Sequence, residues 1–251
     1  MPGPVARAVR HVGGRVLDVL LPPRCPACAA MVASGGLLCA DCWSRVRFLG
    51  GPACPTCGHP FEYDPGPGLV CAACAARPPV YARSRAAVVY DGESRALVLA
   101  FKHGDRTDLV PGLARWLLRA GADLIEGADV IAPVPLHWTR LFVRRYNQAG
   151  LLANRIGADT GVPVVPDLLV RRRRTPSQGG LSPGARRRNV AGAFDVHPGR
   201  AAHVSGKRVL LVDDVLTTGA TAEAAAARLL AAGAAAVDTL TLARVLRSTR
   251  L

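Results

Sequence analysis

The sequence predicts an α/β protein with a doubly wound parallel sheet, preceded by a small cysteine-rich module. From about Ser84 onward, short apolar segments alternate with stretches of helical periodicity, a pattern typical of parallel α/β domains. All 8 cysteines lie before that point, in CxxC pairs among glycine and proline. The segment VLLVDDVLTTGAT at 209–221 indicates a buried strand, a small polar turn and the start of a helix. We therefore expect a short helical lead over 1–21, a metal-organised module over 22–80 and the α/β domain over 84–251.

Length, composition and charge restrict the classes of function. The chain has 251 residues, of which 50% are hydrophobic and 20% are charged, so it can form a folded core. The formal net charge of +14 favours anionic ligands, either phosphates or nucleic acid. No run of about twenty apolar residues predicts a membrane span, and Asp18 interrupts the short apolar stretch near the N-terminus. We expect a cytoplasmic protein.

The elements of the α/β domain follow from apolar periodicity and from helix stop signals. Strands are predicted at 86–90, 129–134, 208–212 and 237–246, with one or two short strands within 163–170. Helices are predicted at 94–102, 109–120, 147–159 and 223–232. Gly161 and Gly233 follow two of these helices, where a residue in the left-handed conformation commonly ends a helix.

The cysteines have the spacing of metal ligands. A CxxC turn directs two thiolates at one tetrahedral ion, and a second pair completes a Cys₄ site with bonds of about 2.3 Å. Pairing of neighbours predicts two structural zinc sites, formed by Cys25, Cys28, Cys39 and Cys42 and by Cys54, Cys57, Cys71 and Cys74. An interleaved cross-brace is an alternative pairing, and an iron–sulfur cluster is the chief alternative to zinc. Disulfides are disfavoured because nothing in the sequence indicates an oxidising compartment.

The segment at 209–221 contains the residues with the clearest chemistry. Asp213 and Asp214 are expected where the strand at 208–212 ends, at the edge of a parallel sheet where ligands bind. A small polar turn follows, made of Thr217, Thr218, Gly219, Ala220 and Thr221. The helix N-terminus after this turn offers unpaired N–H groups to a phosphate, while carboxylates suit ribose hydroxyls and magnesium. The segment predicts a site for a sugar phosphate and a metal, and an ordinary strand–turn–helix is the alternative.

Arginines are concentrated in two other parts of the domain. Arg144 and Arg145 lie between the proline-constrained turn PVPLH and the helix predicted at 147–159. Backbone N–H groups and arginines at a strand end suit pyrophosphate, although a solvated helix face explains the same pattern equally well. The arginine runs 171–174 and 186–188 lie in a glycine-containing stretch, typical of a mobile anion-binding loop or of a disordered basic loop.

Segment 209–221 resembles the phosphoribosyl-pyrophosphate (PRPP) signature of type I phosphoribosyltransferases, in which four apolar and two acidic residues precede a Thr/Gly loop. The chain also contains, in order, CPxC pairs, FKH at 101–103, PVPLHWTRLFVRRYNQAGLLA at 133–153 and RTPSQGGLSPGARRRNVAGAF at 174–194. With these motifs it resembles the ComF-type late-competence family, a phosphoribosyltransferase branch that carries a double zinc ribbon. The resemblance runs from about Leu17 to the end of the chain and implies a sheet of the type I phosphoribosyltransferase kind.

The resemblance implies roles for individual residues. Asp213 and Asp214 would be the catalytic pair, facing the ribose hydroxyls and magnesium, and the turn at 217–221 would hold the 5-phosphate. Further substrate contacts are expected at Lys102, Arg144, Arg145, Arg174 and Gln178. The implied protein is a pentosyl-transferring enzyme linked to DNA uptake. The alternative is a non-catalytic competence factor that binds single-stranded DNA and retains the PRPP fold.

Two positions depart from the pattern of related enzymes. The ComF-type family commonly has Gly-Phe before the Asn-Gln pair, whereas this chain has Arg145 and Tyr146. Hypoxanthine–guanine enzymes have an acidic general base where this chain has Thr217. Deprotonation of an acceptor would therefore have to come from elsewhere, or the acceptor needs none, or no transfer occurs.

Overall fold

A four-stranded parallel sheet forms the centre of the protein. The computed structural model describes residues 22–33, 38–103, 105–176 and 182–246. The strands are β1 (Arg83–Val89), β2 (Val130–Pro133), β3 (Leu169–Arg171), β4 (Phe194–Val196), β5 (Arg208–Leu216) and β6 (Ala236–Arg244). The sheet order is β1-β6-β5-β2, while β3 and β4 pair separately and antiparallel. The predicted lead at 1–21 and Gln178 lie outside the described residues.

Helices flank the sheet and also occur within the cysteine-rich region. They are α1 (Ala40–Arg45), α2 (Ala72–Ala76), α3 (Gly92–His103), α4 (Val110–Ala120), α5 (Ala122–Glu126), α6 (Trp138–Arg144), α7 (Gln148–Thr160), α8 (Pro183–Val190) and α9 (Ala220–Ala231). The Asn147 side chain accepts a hydrogen bond from Ala149 N and caps α7, and Gly161 ends it with a φ of +78°. Gly233 has a φ of +94° just beyond α9. Both glycine stop signals are confirmed.

The core has two layers, one on each face of the sheet. In β5, Val209 and Leu211 belong to one apolar cluster, whereas Leu210 and Val212 belong to the other. A strand that is apolar at successive positions is buried on both faces, so the doubly wound prediction is confirmed. No helix in the described parts of the chain is both long and apolar enough to cross a bilayer.

The central strand is longer than its apolar stretch indicated. We predicted that it ends at Val212, but β5 continues through both aspartates to Leu216. Parallel pairing with β6 is the reason, since Asp213 lies opposite Thr241 and Leu216 lies opposite Arg244. The predicted boundary was wrong because a polar side chain at a sheet edge does not interrupt backbone pairing.

The second half of the cysteine-rich region, 54–74, lies against the α/β domain. Ser84 N donates to Thr56 O at 2.7 Å, and an Arg85 guanidinium nitrogen donates to Pro55 O at 3.0 Å. Gly58 has a φ of +67°, and a Cβ there would lie 2.6 Å from Ser84 O. The close approach therefore requires glycine. These contacts fix this module to the edge of the sheet.

Candidate functional site

Asp213 and Asp214 lie side by side near the carboxyl end of β5, the strand between β2 and β6. Both side chains are partly buried. Asp214 N donates to Asp213 Oδ1 at 2.8 Å, and Lys102 Nζ lies 2.9 Å from Asp214 Oδ2. The lysine that we expected at a phosphate thus contacts the acidic pair.

The environment of Asp213 favours its protonated form. Burial raises its pKa to about 7, and the adjacent negative charge of Asp214 acts in the same direction. Lys102 and Arg171 lower the pKa, although by less. Ionisation of Asp213 is unfavourable without a ligand. A bound cation or hydrogen-bond donor would stabilise the ionised form. This favours a binding role over a purely structural one.

The turn after β5 has the geometry of an anion-binding helix start. Gly219 is the residue before α9 and has a φ of +80°, which glycine adopts at little cost. Thr218 Oγ1 accepts a hydrogen bond from Ala220 N at 3.4 Å. The hydroxyl of the buried Tyr81 would lie 3.6 Å from a Cβ at Gly219, an ordinary contact distance, so this tyrosine lies beside the turn. The turn can present N–H groups and the positive end of the helix dipole to a phosphate.

Two arginines that we had not assigned to the site lie near it: the charge of Arg171 acts on Asp213, and Arg140 lies close to Arg171. An Arg140 guanidinium nitrogen donates to Thr175 O at 2.9 Å, and Arg171 donates to Thr175 Oγ1. Burial lowers the pKa of both guanidinium groups, and the charge of Arg140 adds to the effect on Arg171. Arg171 Nε is buried and has no hydrogen-bond partner among the described residues. Its position directly after the apolar pair at 169–170 was a signal that could have placed it at a strand end.

The other predicted arginines are placed less uniformly. Arg144 and Arg174 are close enough to Arg140 for their charges to lower its pKa. Arg145 has a φ of +64°, its side chain is 82% exposed, and it lies 4.0 Å from Asp105 Oδ2. The structure therefore brings Arg144 and Arg174 together with Arg140 and Arg171, and we call these four residues the arginine cluster. Arg145 is largely in solvent.

Polar side chains at the start of α7 connect this helix to the end of β2 and to α3. Asn147 Nδ2 donates to Val134 O at 3.1 Å, and the buried Gln148 donates through Nε2 to Lys102 O at 3.0 Å. The second bond connects the start of α7 to α3, the helix that contains Lys102. The end of β2 is thus connected, through the start of α7 and Lys102, to Asp214 near the end of β5.

The eight cysteines form two groups, each with its four sulfur atoms within 4.8 Å of one another. The groups are Cys25, Cys28, Cys39 and Cys42, and Cys54, Cys57, Cys71 and Cys74. Pairing is therefore between neighbours and does not form a cross-brace. Two inter-pair sulfur distances are 3.5 and 3.6 Å. Tetrahedral bonds of about 2.3 Å would place sulfurs about 3.8 Å apart, so the thiols fit a zinc ion.

Comparisons with known proteins identify both parts of the chain. Residues 16–78 match the family model of a double zinc ribbon domain, and residues 147–251 match that of a phosphoribosyl transferase domain. The DNA utilization protein YhgH of Escherichia coli (strain K12) is 31% identical over 232 residues, covering 90% of this chain and 99% of that protein. Competence protein F of Haemophilus influenzae is 30% identical over 195 residues, covering 76% of this chain and 82% of that protein.

Among solved structures, the chain is similar to orotate phosphoribosyltransferase from Aeropyrum pernix. It is 17% identical, covers 63% of this chain and 80% of that chain, and has a TM-score of 0.33. The family assignment rests instead on the full-length relatives, on the two domain matches and on the two cysteine groups. The chain belongs to the ComF-type competence-protein family, in which a double zinc ribbon precedes a phosphoribosyltransferase domain.

Proposed function

We propose that this protein binds PRPP and transfers its phosphoribosyl group. The observation that carries the proposal is the continuity of β5, its turn and α9, which places two partly buried carboxylates next to a glycine-initiated helix. In this arrangement the turn at 217–221 holds the 5-phosphate, and Asp213 and Asp214 accept hydrogen bonds from the ribose hydroxyls. The acceptor molecule is not assigned.

The arginine cluster supplies the pyrophosphate end of the proposed site. Arg140 and Arg171, with Arg144 nearby, hold positive charge in a partly desolvated position, where it interacts strongly with an anion. Such charge stabilises a departing pyrophosphate as the sugar carbon becomes cation-like. Arg174, and Gln178 beyond the described residues, belong to the loop that would close over PRPP. Magnesium, bound with PRPP at the acidic pair, would neutralise phosphate charge.

The cysteine groups support two structural zinc ions. Each offers four thiolates to one ion, so no coordination position is left open for a substrate. We place the protein in the cytoplasm, because reduced thiols are maintained there.

Calorimetric titration of PRPP with magnesium tests the proposal. We expect the wild type to bind, and the Asp213→Asn/Asp214→Asn double variant to lose binding. Asp159→Asn is a matched control, since this carboxylate pairs with Arg155 on the exposed side of α7. Absence of binding to the wild type, or binding that is unaffected by the double variant, would overturn the proposal. Arg171→Met should weaken PRPP binding about tenfold or more and leave ribose 5-phosphate binding unchanged.

A second candidate function, binding of single-stranded DNA, is favoured by exposed aromatic side chains. Trp138 is 71% exposed and Phe142 is 86% exposed on α6, close in sequence to Arg144 and Arg145. Aromatic rings and arginines together suit unpaired bases and their phosphates. The names of the relatives, DNA utilization protein and competence protein, agree with this function.

Fluorescence anisotropy with a labelled oligonucleotide tests the second candidate. Affinity should fall steeply as salt rises, and Trp138→Ala/Phe142→Ala should weaken it about tenfold. The Asp213→Asn/Asp214→Asn variant serves as the control, because it should leave DNA affinity unchanged. Affinity that is insensitive to both salt and the aromatic substitutions would reject this function.

A further inference from the structure

A cavity of about 620 Å³ separates the second cysteine group from the turn after β5. We call it the ribbon cavity. The cysteine-rich module contributes Cys57, His59 and Arg77 to its wall, and the α/β domain contributes Arg187, Arg244 and the turn at 217–219. Its volume is in the range of small-molecule sites, about 300–1,000 Å³. Neither Asp213 nor Asp214 is among its lining residues, so the cavity contacts the turn without being lined by the acidic pair.

Arginines outnumber aspartates and glutamates among the residues that line the ribbon cavity. It contains three arginines and a single acid, Glu223. Glu223 already pairs with Arg77 at 2.7 Å. Within the described ranges, Arg187 and Arg244 are not found in an ion pair with an aspartate or glutamate. The charge of Arg244 acts instead on the nearby Cys57 thiol, and Arg244 Nε is buried with no hydrogen-bond acceptor. Burying the Arg244 guanidinium is costly, and an anion in the cavity would lower that cost through its charge.

Arg244 connects the turn to the metal-binding module. It is the last residue of β6 and lies opposite Leu216, the last residue of β5 before the turn. Its guanidinium donates to the backbone carbonyl of Cys57, within the second cysteine group. The geometry of that group therefore determines where the Arg244 guanidinium lies relative to the turn.

We propose that residues lining the ribbon cavity form one wall of the phosphate site. The second cysteine group then contributes to ligand binding. The inference rests on the proposed function, and the ligand class is the phosphate monoester end of a sugar phosphate. Arg244 and Arg187 bind the phosphate from the ribbon side while the turn binds it through N–H groups. Metal in the second cysteine group then increases phosphate affinity by holding Arg244. The first cysteine group has no such effect, because none of its cysteines lines the cavity.

Calorimetric titration of ribose 5-phosphate into two arginine variants tests whether Arg244 binds the phosphate. Arg244 and Arg85 both donate to carbonyls of the same cysteine turn, at Cys57 and Pro55, but only Arg244 lines the cavity. Arg244→Met should weaken binding about tenfold or more, and the matched control Arg85→Met should not. Metal content is measured in each variant to confirm that both cysteine groups are loaded.

Cysteine variants test the coupling to metal. Cys71→Ser should lower the affinity for ribose 5-phosphate, and Cys28→Ser, in the first group, should leave it unchanged. Equal effects of these two variants, or wild-type affinity in metal-loaded Arg244→Met, would overturn the inference. If PRPP binds with the expected dependence on Asp213 while Arg244→Met has no effect, only the inference fails. If the wild type binds neither sugar phosphate, the proposed function fails together with it.

Discussion

Replacing Asp213 with asparagine should stabilise the ligand-free protein at alkaline pH while removing PRPP binding. The folded pKa of about 7 lies far above the ordinary aspartate pKa of about 3.9. A raised carboxyl pKa means that the folded chain holds a proton that the unfolded chain has released. The contribution of Asp213 to stability is therefore most favourable at low pH and falls as pH rises from about 3.9 to about 7.

The size of the effect follows from the free energy of proton binding, which changes by about 1.4 kcal/mol for each tenfold change in the proton dissociation constant. At pH 5.5 the raised pKa costs the wild type about 2 kcal/mol of stability, and at pH 8.5 about 4 kcal/mol, relative to an uncharged side chain. Asparagine has no ionisation cost, and its amide oxygen can still accept the 2.8 Å hydrogen bond from Asp214 N. The stability advantage of Asp213→Asn should therefore grow by about 2 kcal/mol between the two pH values.

Urea unfolding followed by tryptophan fluorescence measures this difference. Wild type and variant carry the same cysteine groups, so the effects of pH on metal binding cancel in the comparison. Asp159→Asn is the control, because Asp159 lies in an exposed ion pair with Arg155. An advantage of Asp213→Asn that is the same at both pH values would refute the reasoning, since it would mean that Asp213 has an ordinary pKa.

The remaining predictions concern the lysine beside the acidic pair and the packing of α7. Lys102→Met should raise the pKa of Asp213 further, because the ammonium charge lowers it; an infrared titration of the carboxyl band that shows a lower pKa would contradict this. Gly157→Ala should destabilise the protein by about 1–3 kcal/mol in urea unfolding, because the new Cβ would lie 2.2 Å from Val164 Cγ2. Gly150→Ala on the same helix is the matched control, since its Cβ would have no contact closer than 3.5 Å and stability should not fall.

Local sequence patterns predicted the features that depend on neighbouring residues. The turn after β5, the glycine that begins α9 and the glycine stops at Gly161 and Gly233 were all predictable, because each is a response of the backbone to a few consecutive side chains. The CxxC turns were also predictable from spacing, since each turn directs two thiols to one point, but the structure was needed to show that neighbouring turns, and not interleaved ones, share a site.

Other features of the site depended on contacts between distant segments. The extension of β5 through Asp213 required pairing with β6, and the Lys102–Asp214 contact required α3 to lie over the end of the sheet. Arg140 and Arg171 both donate hydrogen bonds to Thr175, and no periodic pattern in the sequence predicts this shared contact. The exposure of Trp138 likewise depends on which surface α6 leaves uncovered.

The sequence by itself determined the type of protein, a double cysteine module followed by a parallel α/β domain with a Thr/Gly turn after its central strand. Residue type and short-range spacing set these features, because they act through backbone conformation and ligand geometry. Only the tertiary structure decided which charges lie near the turn and that the second cysteine group faces it across a cavity, with Arg244 in contact with Cys57. Such contacts depend on how segments far apart in the chain pack together, and the local pattern does not encode that packing.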